Sequence, residues 1–215
     1  MIVENVFDYK IARVICKDVS VYKDEDLIRS VNDVLTMESI TNTPIKNNNR
    51  YQDPGDSRVG KATTSVAQPY IDLVYLPGAS KIVQWITDQF LLASDMFFPS
   101  VKKNNIVFRR SWINQLNEGG YGKCHAHVKE IVNGVNKPDL VGIFYLEVPE
   151  NSAPLIFVNN GVSDYEYTQF LERDMHYVYP KIGELVIHPS EVLHAVGLHQ
   201  SDLRRICFVF EADID

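Results

Sequence analysis

The rhythm of apolar positions changes about half-way along the chain. Leu27, Ile28, Val31, Val34 and Leu35 recur at three- and four-residue spacing behind Asp24, and this predicts a capped helix over Asp24–Leu35. Ile82, Val83, Trp85, Ile86, Phe90, Leu91 and Leu92 make a broader stripe, predicting a longer helix over Ser80–Phe98 that packs on a sheet. Between them, residues 38–69 are rich in Asn, Thr, Asp, Gly and Ser, with Asn47-Asn48-Asn49 and Asp53-Pro54-Gly55-Asp56. Such a stretch has little apolar surface to bury, so a long polar loop is expected. After residue 104 the apolar runs become short, β-branched or aromatic, and are punctuated by Gly, Pro and Asn: Ile106–Ile113, Leu140–Val148, Leu155–Val158, Glu184–His188 and Arg205–Glu211. The pattern predicts an α+β chain, mainly β, in which helices of the first half back a sandwich or jelly roll of the second.

Composition narrows this picture. A chain of 215 residues is read as one domain, 1–215, with helical support over 1–104 and a β core over 105–215. The balance of 21 Lys and Arg against 28 Asp and Glu leaves a net charge of −7, which makes nucleic acid an unlikely partner. Apolar runs such as Leu140–Leu146 fall far short of the ~20 residues that cross a bilayer. Met1-Ile2-Val3-Glu4-Asn5 lacks the basic flank and apolar run of a secretory signal, and Cys16, Cys124 and Cys207 are scattered without metal or disulfide spacing. A cytoplasmic location with reduced thiols is expected. Oligomeric state is not legible.

Candidate chemistry lies in the histidines. Residues i and i+2 of a strand share a face, so His125 and His127 of Cys124-His125-Ala126-His127 can point together into a barrel while Cys124 faces away. His194, on a distant strand, would complete a facial set of three imidazoles that leaves metal positions open for substrates, suited to iron, zinc, copper or nickel. A His-x-His pair alone more often marks a polar strand face; the end of the chain strengthens the metal reading. There Ile206, Phe208 and Phe210 alternate with Arg205 and Cys207, so if the phenylalanines pack on helices, Arg205 looks into the barrel. A buried guanidinium needs an anion, supplied either by an Asp or Glu of the chain or by a ligand carboxylate held in bidentate fashion. Arg204 faces the other way and is the natural control. His176 and His199 have no partner spacing and read as surface histidines.

These residues resemble the 2-oxoglutarate and Fe(II)-dependent oxygenases, in particular a phage and marine-bacterial branch. The resemblance covers about half the chain. Its carriers are Trp112-Ile113-Asn114, Gly119-Gly120 ahead of His125-Ala126-His127, Leu140 to Leu146 with Pro149, Gly183 to Ser190 leading to His194, and Arg205 to Phe210. It implies a double-stranded β-helix (jelly-roll barrel) in which His125, His127 and His194 hold Fe(II) and Arg205 holds the distal carboxylate of the cosubstrate 2-oxoglutarate. Asn114, Tyr145 and Cys207 are further candidates for cosubstrate binding; no catalytic group beyond the metal ligands is implied. His127 stands where the wider superfamily has Asp or Glu, with Glu130 and Asp139 as nearby alternative carboxylates. Cys207 stands where a hydroxyl is common, and His188 where an aromatic residue is. The implied activity is that of a dioxygenase, most readily a hydroxylase, coupling oxidative decarboxylation of 2-oxoglutarate to C–H oxidation of a small-molecule or peptidyl substrate with molecular oxygen, in a bacterial or phage-infected host cytoplasm. Two alternatives are a three-histidine cupin-type dioxygenase without 2-oxoglutarate and a catalytically silent jelly-roll binding module. Substrate choice is expected in the loops 38–69, 128–139 and 159–180.

Overall fold

A computed structural model describes residues 1–37, 58–59, 62–65, 72–100, 105–127, 139–159 and 172–215. The chain opens with a hairpin, β1 (Ile2–Val6) and β2 (Tyr9–Ile15), followed by helix α1 (Glu25–Thr36). Asp24 caps α1 through a 3.1 Å bond from the Asp26 N–H, with Glu25 and Asp26 in the first turn, and the helix buries Leu27, Val31, Val34 and Leu35. The short strands β3 (Arg58–Val59) and β4 (Ala62–Thr64) precede helix α2 (Ser80–Phe97). Then come β5 (Ile106–Leu116), β6 (Tyr121–His125), β7 (Leu140–Glu147), β8 (Leu155–Val158), β9 (Met175–Val178), β10 (Glu184–Pro189), β11 (His194–Val196) and β12 (Arg205–Ile214).

Two antiparallel sheets result. The larger has the order β1-β2-β10-β7-β12-β5-β4, and the smaller β3-β6-β11-β8-β9. One face of the larger sheet carries Phe144, Leu146, Leu185, Ile187, Ile206, Phe208 and Phe210, which pack with the buried faces of α1 and α2. Its other face meets the smaller sheet through Trp112, Val141, Ile143, Tyr145, Val186, Cys207 and Val209 against Leu155, Phe157 and Val178. Burial on both faces explains why β7, β10 and β12 read as nearly continuous apolar runs. Gly142 lets α2 settle, because a Cβ there would lie 2.5 Å from the Phe90 ring.

The two helices and five principal strands fall where the apolar rhythm places them. The first half is less helical than expected, however: its hairpin extends the large sheet through pairing of β2 with β10, and β3 and β4 interrupt the segment read as loop. Apart from Ser65, the remainder of 38–69, and most of 128–139 and 159–180, lie outside the described residues. Among the described residues no helix is long and apolar enough to cross a membrane.

Candidate metal centre and cosubstrate pocket

The site is built from rows that run across β12. Its inward residues are Arg205, Cys207, Val209 and Glu211, and each has partners on both neighbours or on one. Cys207 lies opposite Asn114 on β5 and Tyr145 on β7, so these three candidates form one row. Val209 is flanked by Trp112 and Ile143, and Glu211 by Arg110 and Val141. Arg205 sits at the end of the series, opposite Leu116.

Histidines enter from the other sheet. His194 on β11 is in register with His125 on β6, and their ring centroids are 4.4 Å apart. β6 ends at His125, so His127 does not share a strand with it as the spacing implies. A bend carries His127 inward instead, anchored by a 3.0 Å bond from its N–H to the Ser190 carbonyl. The rings still converge: ligand atoms of His125, His127 and His194 all lie within 4.8 Å of one another. Every Nδ1 is occupied, at 2.8 Å from the Lys123 carbonyl for His125, 3.0 Å from the Val192 carbonyl for His194, and 2.7 Å from the Glu211 carboxylate for His127. Nδ1–H donation leaves each Nε2 with its lone pair directed at the shared space.

Burial favours the form that binds metal. It depresses the pKa of His125 to about 4, helped by His127 and opposed by the Lys123 carbonyl. Burial also holds His194 well below the ordinary histidine value, with His125, His188 and His127 adding to the effect. Two imidazoles kept neutral by burial, with a third converging on them, fit a divalent transition metal, which desolvated imidazolium rings would repel.

Arg205 is 2% exposed and lies over the Tyr145 ring, with Cζ 4.9 Å from its centroid. Among the described residues no carboxylate comes within ion-pair distance, and its buried Nε has no hydrogen-bond partner. Nor has the buried Tyr145 hydroxyl, whose pKa is raised by burial against the opposing pull of Arg205. Arg205, Cys207, Asn114 and the three histidines line a common cavity, whereas Tyr145 lies beneath Arg205 rather than on the cavity wall. An unpaired buried guanidinium at a cavity floor fits a dicarboxylate. Arg204, by contrast, turns outward into a bidentate pair with Glu147 at 2.8 and 2.9 Å.

Other expectations are revised. Asp139 does not reach the histidines; its carboxylate accepts from the Ile214 N–H at 2.8 Å. Glu130 lies outside the described residues. His199 is fully buried rather than superficial, with Nε2 2.7 Å from the Leu203 carbonyl and Nδ1 accepting from the Ala153 N–H, so it pins a loop. His176 is partly buried, 3.5 Å from Glu4. Sequence reasoning missed Arg110 and Glu211, although Glu211 continues the inward series Arg205, Cys207, Val209.

Fold and site together define a double-stranded β-helix with an oxygenase-type centre: three imidazoles on one wall and an unpaired arginine on the other. Residues 110–211, a span holding all of these groups, match the family model described as "Putative 2OG-Fe(II) oxygenase". Similar solved structures include a Pseudomonas putida prolyl-4-hydroxylase (13% identity, TM-score 0.58, 96% of this chain and 93% of that one). A viral collagen prolyl hydroxylase from Paramecium bursaria Chlorella virus-1, in complex with 2OG, is 13% identical, with a TM-score of 0.57 and 94% of each chain covered. A Trichoplax adhaerens prolyl hydroxylase in complex with a hypoxia-inducible-factor peptide fragment has 11% identity and a TM-score of 0.60, over 94% of this chain and 83% of that one. Comparison with curated proteins gives no match. The matched segment, just under half of the chain, is that of 2-oxoglutarate- and Fe(II)-dependent oxygenases, oxidoreductases whose cofactor set is Fe(II) with 2-oxoglutarate, and the three-histidine cluster within it suits the iron.

Proposed function

We propose that the protein is a hydroxylase in which His125, His127 and His194 hold the iron and Arg205 anchors the distal carboxylate of 2-oxoglutarate. The observation that carries this reading is the pairing of a three-imidazole cluster with a buried arginine that has no carboxylate partner among the described residues. When bound, the iron supplies oxidative decarboxylation of the keto acid coupled to oxidation of a substrate C–H bond. The chain's part is to bind and orient. Arg205 fixes the cosubstrate carboxylate through its two-pronged donors, and the Tyr145 ring beneath it holds the guanidinium in place. Asn114, tied to Thr64 across β4 and β5, and the Cys207 thiol complete that end of the cavity. Trp112, Ile143 and Val209 line the stretch between the arginine and the histidines and keep water from it.

The chain works as one catalytic unit, with α1 and α2 bracing the large sheet. Its described outer lining, including Thr63, Gln115 and Tyr121, is uncharged, which favours a neutral small-molecule or peptidyl group over a phosphorylated one. A net charge of −7 argues against nucleic acid, and three unpaired cysteines suit the cytoplasm.

Anaerobic titration tests the proposal. Adding 2-oxoglutarate to the Fe(II)-loaded protein is expected to produce a visible charge-transfer band in wild type and Arg204→Ala but not in Arg205→Ala. Absence of the band in wild type would favour direct chelation by the substrate.

A further inference from the structure

The three metal-facing histidines are held in two different ways. Backbone carbonyls receive the Nδ1–H of His125 and His194, at 2.8 and 3.0 Å, whereas His127 meets a buried carboxylate at 2.7 Å. That carboxylate, Glu211, is 3% exposed and is gripped from its other side by Arg110, with Nε and Nη2 at 2.8 and 3.0 Å. Arg110 in turn lies over Trp112, its Cζ 4.9 Å from the ring centroid. Trp112 closes the circle by stacking on His127, centroids 5.8 Å apart and planes 23° from parallel.

From this closed circuit we infer that Glu211 is the positioning residue of the metal centre, fixing the tautomer and ring orientation of His127 in place of the strand that the other ligands have. The inference rests on the metal-site reading proposed above. His127 needs such a device because β6 has already ended and, among the described residues, its backbone is held at the Ser190 carbonyl alone. A carboxylate can only accept from Nδ1, so the His127 proton is placed there and Nε2 is left as the ligand atom. The carboxylate missing from the ligand set is therefore present one residue outward, on β12. Arg110 holds the far side of that carboxylate with two N–H groups, so Glu211 accepts from both sides and is fixed against the His127 ring. The same strand thus carries both supports of the site on one face, with Arg205 and Glu211 six residues or roughly 20 Å apart along β12.

The test uses the full chain and Mn(II) as probe. Equilibrium dialysis is expected to show affinity about 10- to 100-fold weaker in Glu211→Gln, the range typical of lost outer-sphere partners. Glu147→Gln, which breaks a bidentate arginine pair of the same kind on the outward-facing Arg204, is expected to bind as wild type does. Independently of any variant, ¹⁵N–¹H correlation spectra of the metal-free wild type are expected to show His127 as the Nδ1–H tautomer with an exchange-protected proton. An Nε2–H tautomer in wild type, or a folded Glu211→Gln protein with Mn(II) affinity within about twofold of wild type, overturns the inference. If wild type itself takes up no Mn(II), the metal-site reading fails and this inference with it; if wild type and Glu211→Gln bind alike, only the role of Glu211 falls.

Discussion

His125 and His194 stand directly opposite one another on β6 and β11, with ring centroids 4.4 Å apart. Two ligands on one antiparallel ladder are positioned by the backbone itself, so the centre is half assembled as soon as that pair of strands forms. His194→Ala is accordingly expected to weaken Mn(II) binding by more than about 100-fold, beyond the cost of losing an outer-sphere partner. Dialysis checks this, and near-wild-type uptake by the variant would place the metal elsewhere.

Arg205 sets stability against function. A buried cation without an anion is unfavourable, and replacing such groups with well-packed apolar residues is often neutral or stabilising by about 1–4 kcal/mol. Arg205→Met is therefore expected to raise the melting temperature of the cosubstrate-free protein. Truncating one partner of a buried charged pair costs about 2–5 kcal/mol, so the same variant should lose most 2-oxoglutarate binding. Arg204→Met, which breaks a more exposed pair with Glu147, is expected to change stability by less than about 1 kcal/mol and leave that binding intact. Melting curves with and without the keto acid separate the outcomes.

Acid is expected to weaken the metal-free fold through its buried histidines. Burial lowers His188 to about 3 and His125 to about 4, and holds His194 well below the ordinary value of 6.5. The unfolded chain then binds more protons than the folded one, so this stability is fully present above about pH 6.5 and is lost as pH falls toward the folded values. Glu211, lowered from 4.5 to about 2, contributes in a separate and more acidic window. Urea midpoints should be flat near pH 8 and decline from about pH 6.5 downward. A flat profile through about pH 5 would contradict the assignment.

His188 is a further buried histidine beside the centre, on β10, with its ring centroid 4.7 Å from that of His194. Its Nδ1 donates to the Pro189 carbonyl at 2.8 Å, while its buried Nε2 has no partner among the described residues. It lies outside the convergent ligand set. An unsatisfied buried acceptor costs about 1–3 kcal/mol, so His188→Phe is expected to leave Mn(II) binding unchanged and to preserve or raise the melting temperature. Loss of metal in this variant would make His188 a ligand.

Much of the fold is legible in local pattern. The capping Asp24, the helical stripe from Ile82 to Leu92, and the alternation of Ile206, Phe208 and Phe210 with Arg205 and Cys207 all depend on neighbours close in sequence. The inward turn of Arg205 follows from that alternation once the phenylalanines face the helices. The joining of β2 to β10 does not, since nothing local in Tyr9–Ile15 names a partner some 170 residues away. The same limit hid Glu211. As a carboxylate on the inward face it obeys the logic that singled out Arg205, yet its partners, Arg110 and His127, come from two separate strand regions.

Periods of two and 3.6 residues, read along the chain, determine which side chains face the barrel and which face the helices, because backbone geometry sets direction residue by residue. They establish that His125, His194 and Arg205 can meet. Tertiary structure decided what sequence spacing misassigned: His127 reaches the centre from a bend, and a carboxylate contributed by β12 holds it there. Direction is a local property of the backbone, whereas a hydrogen bond across 84 residues exists only once both sheets have closed around the same space.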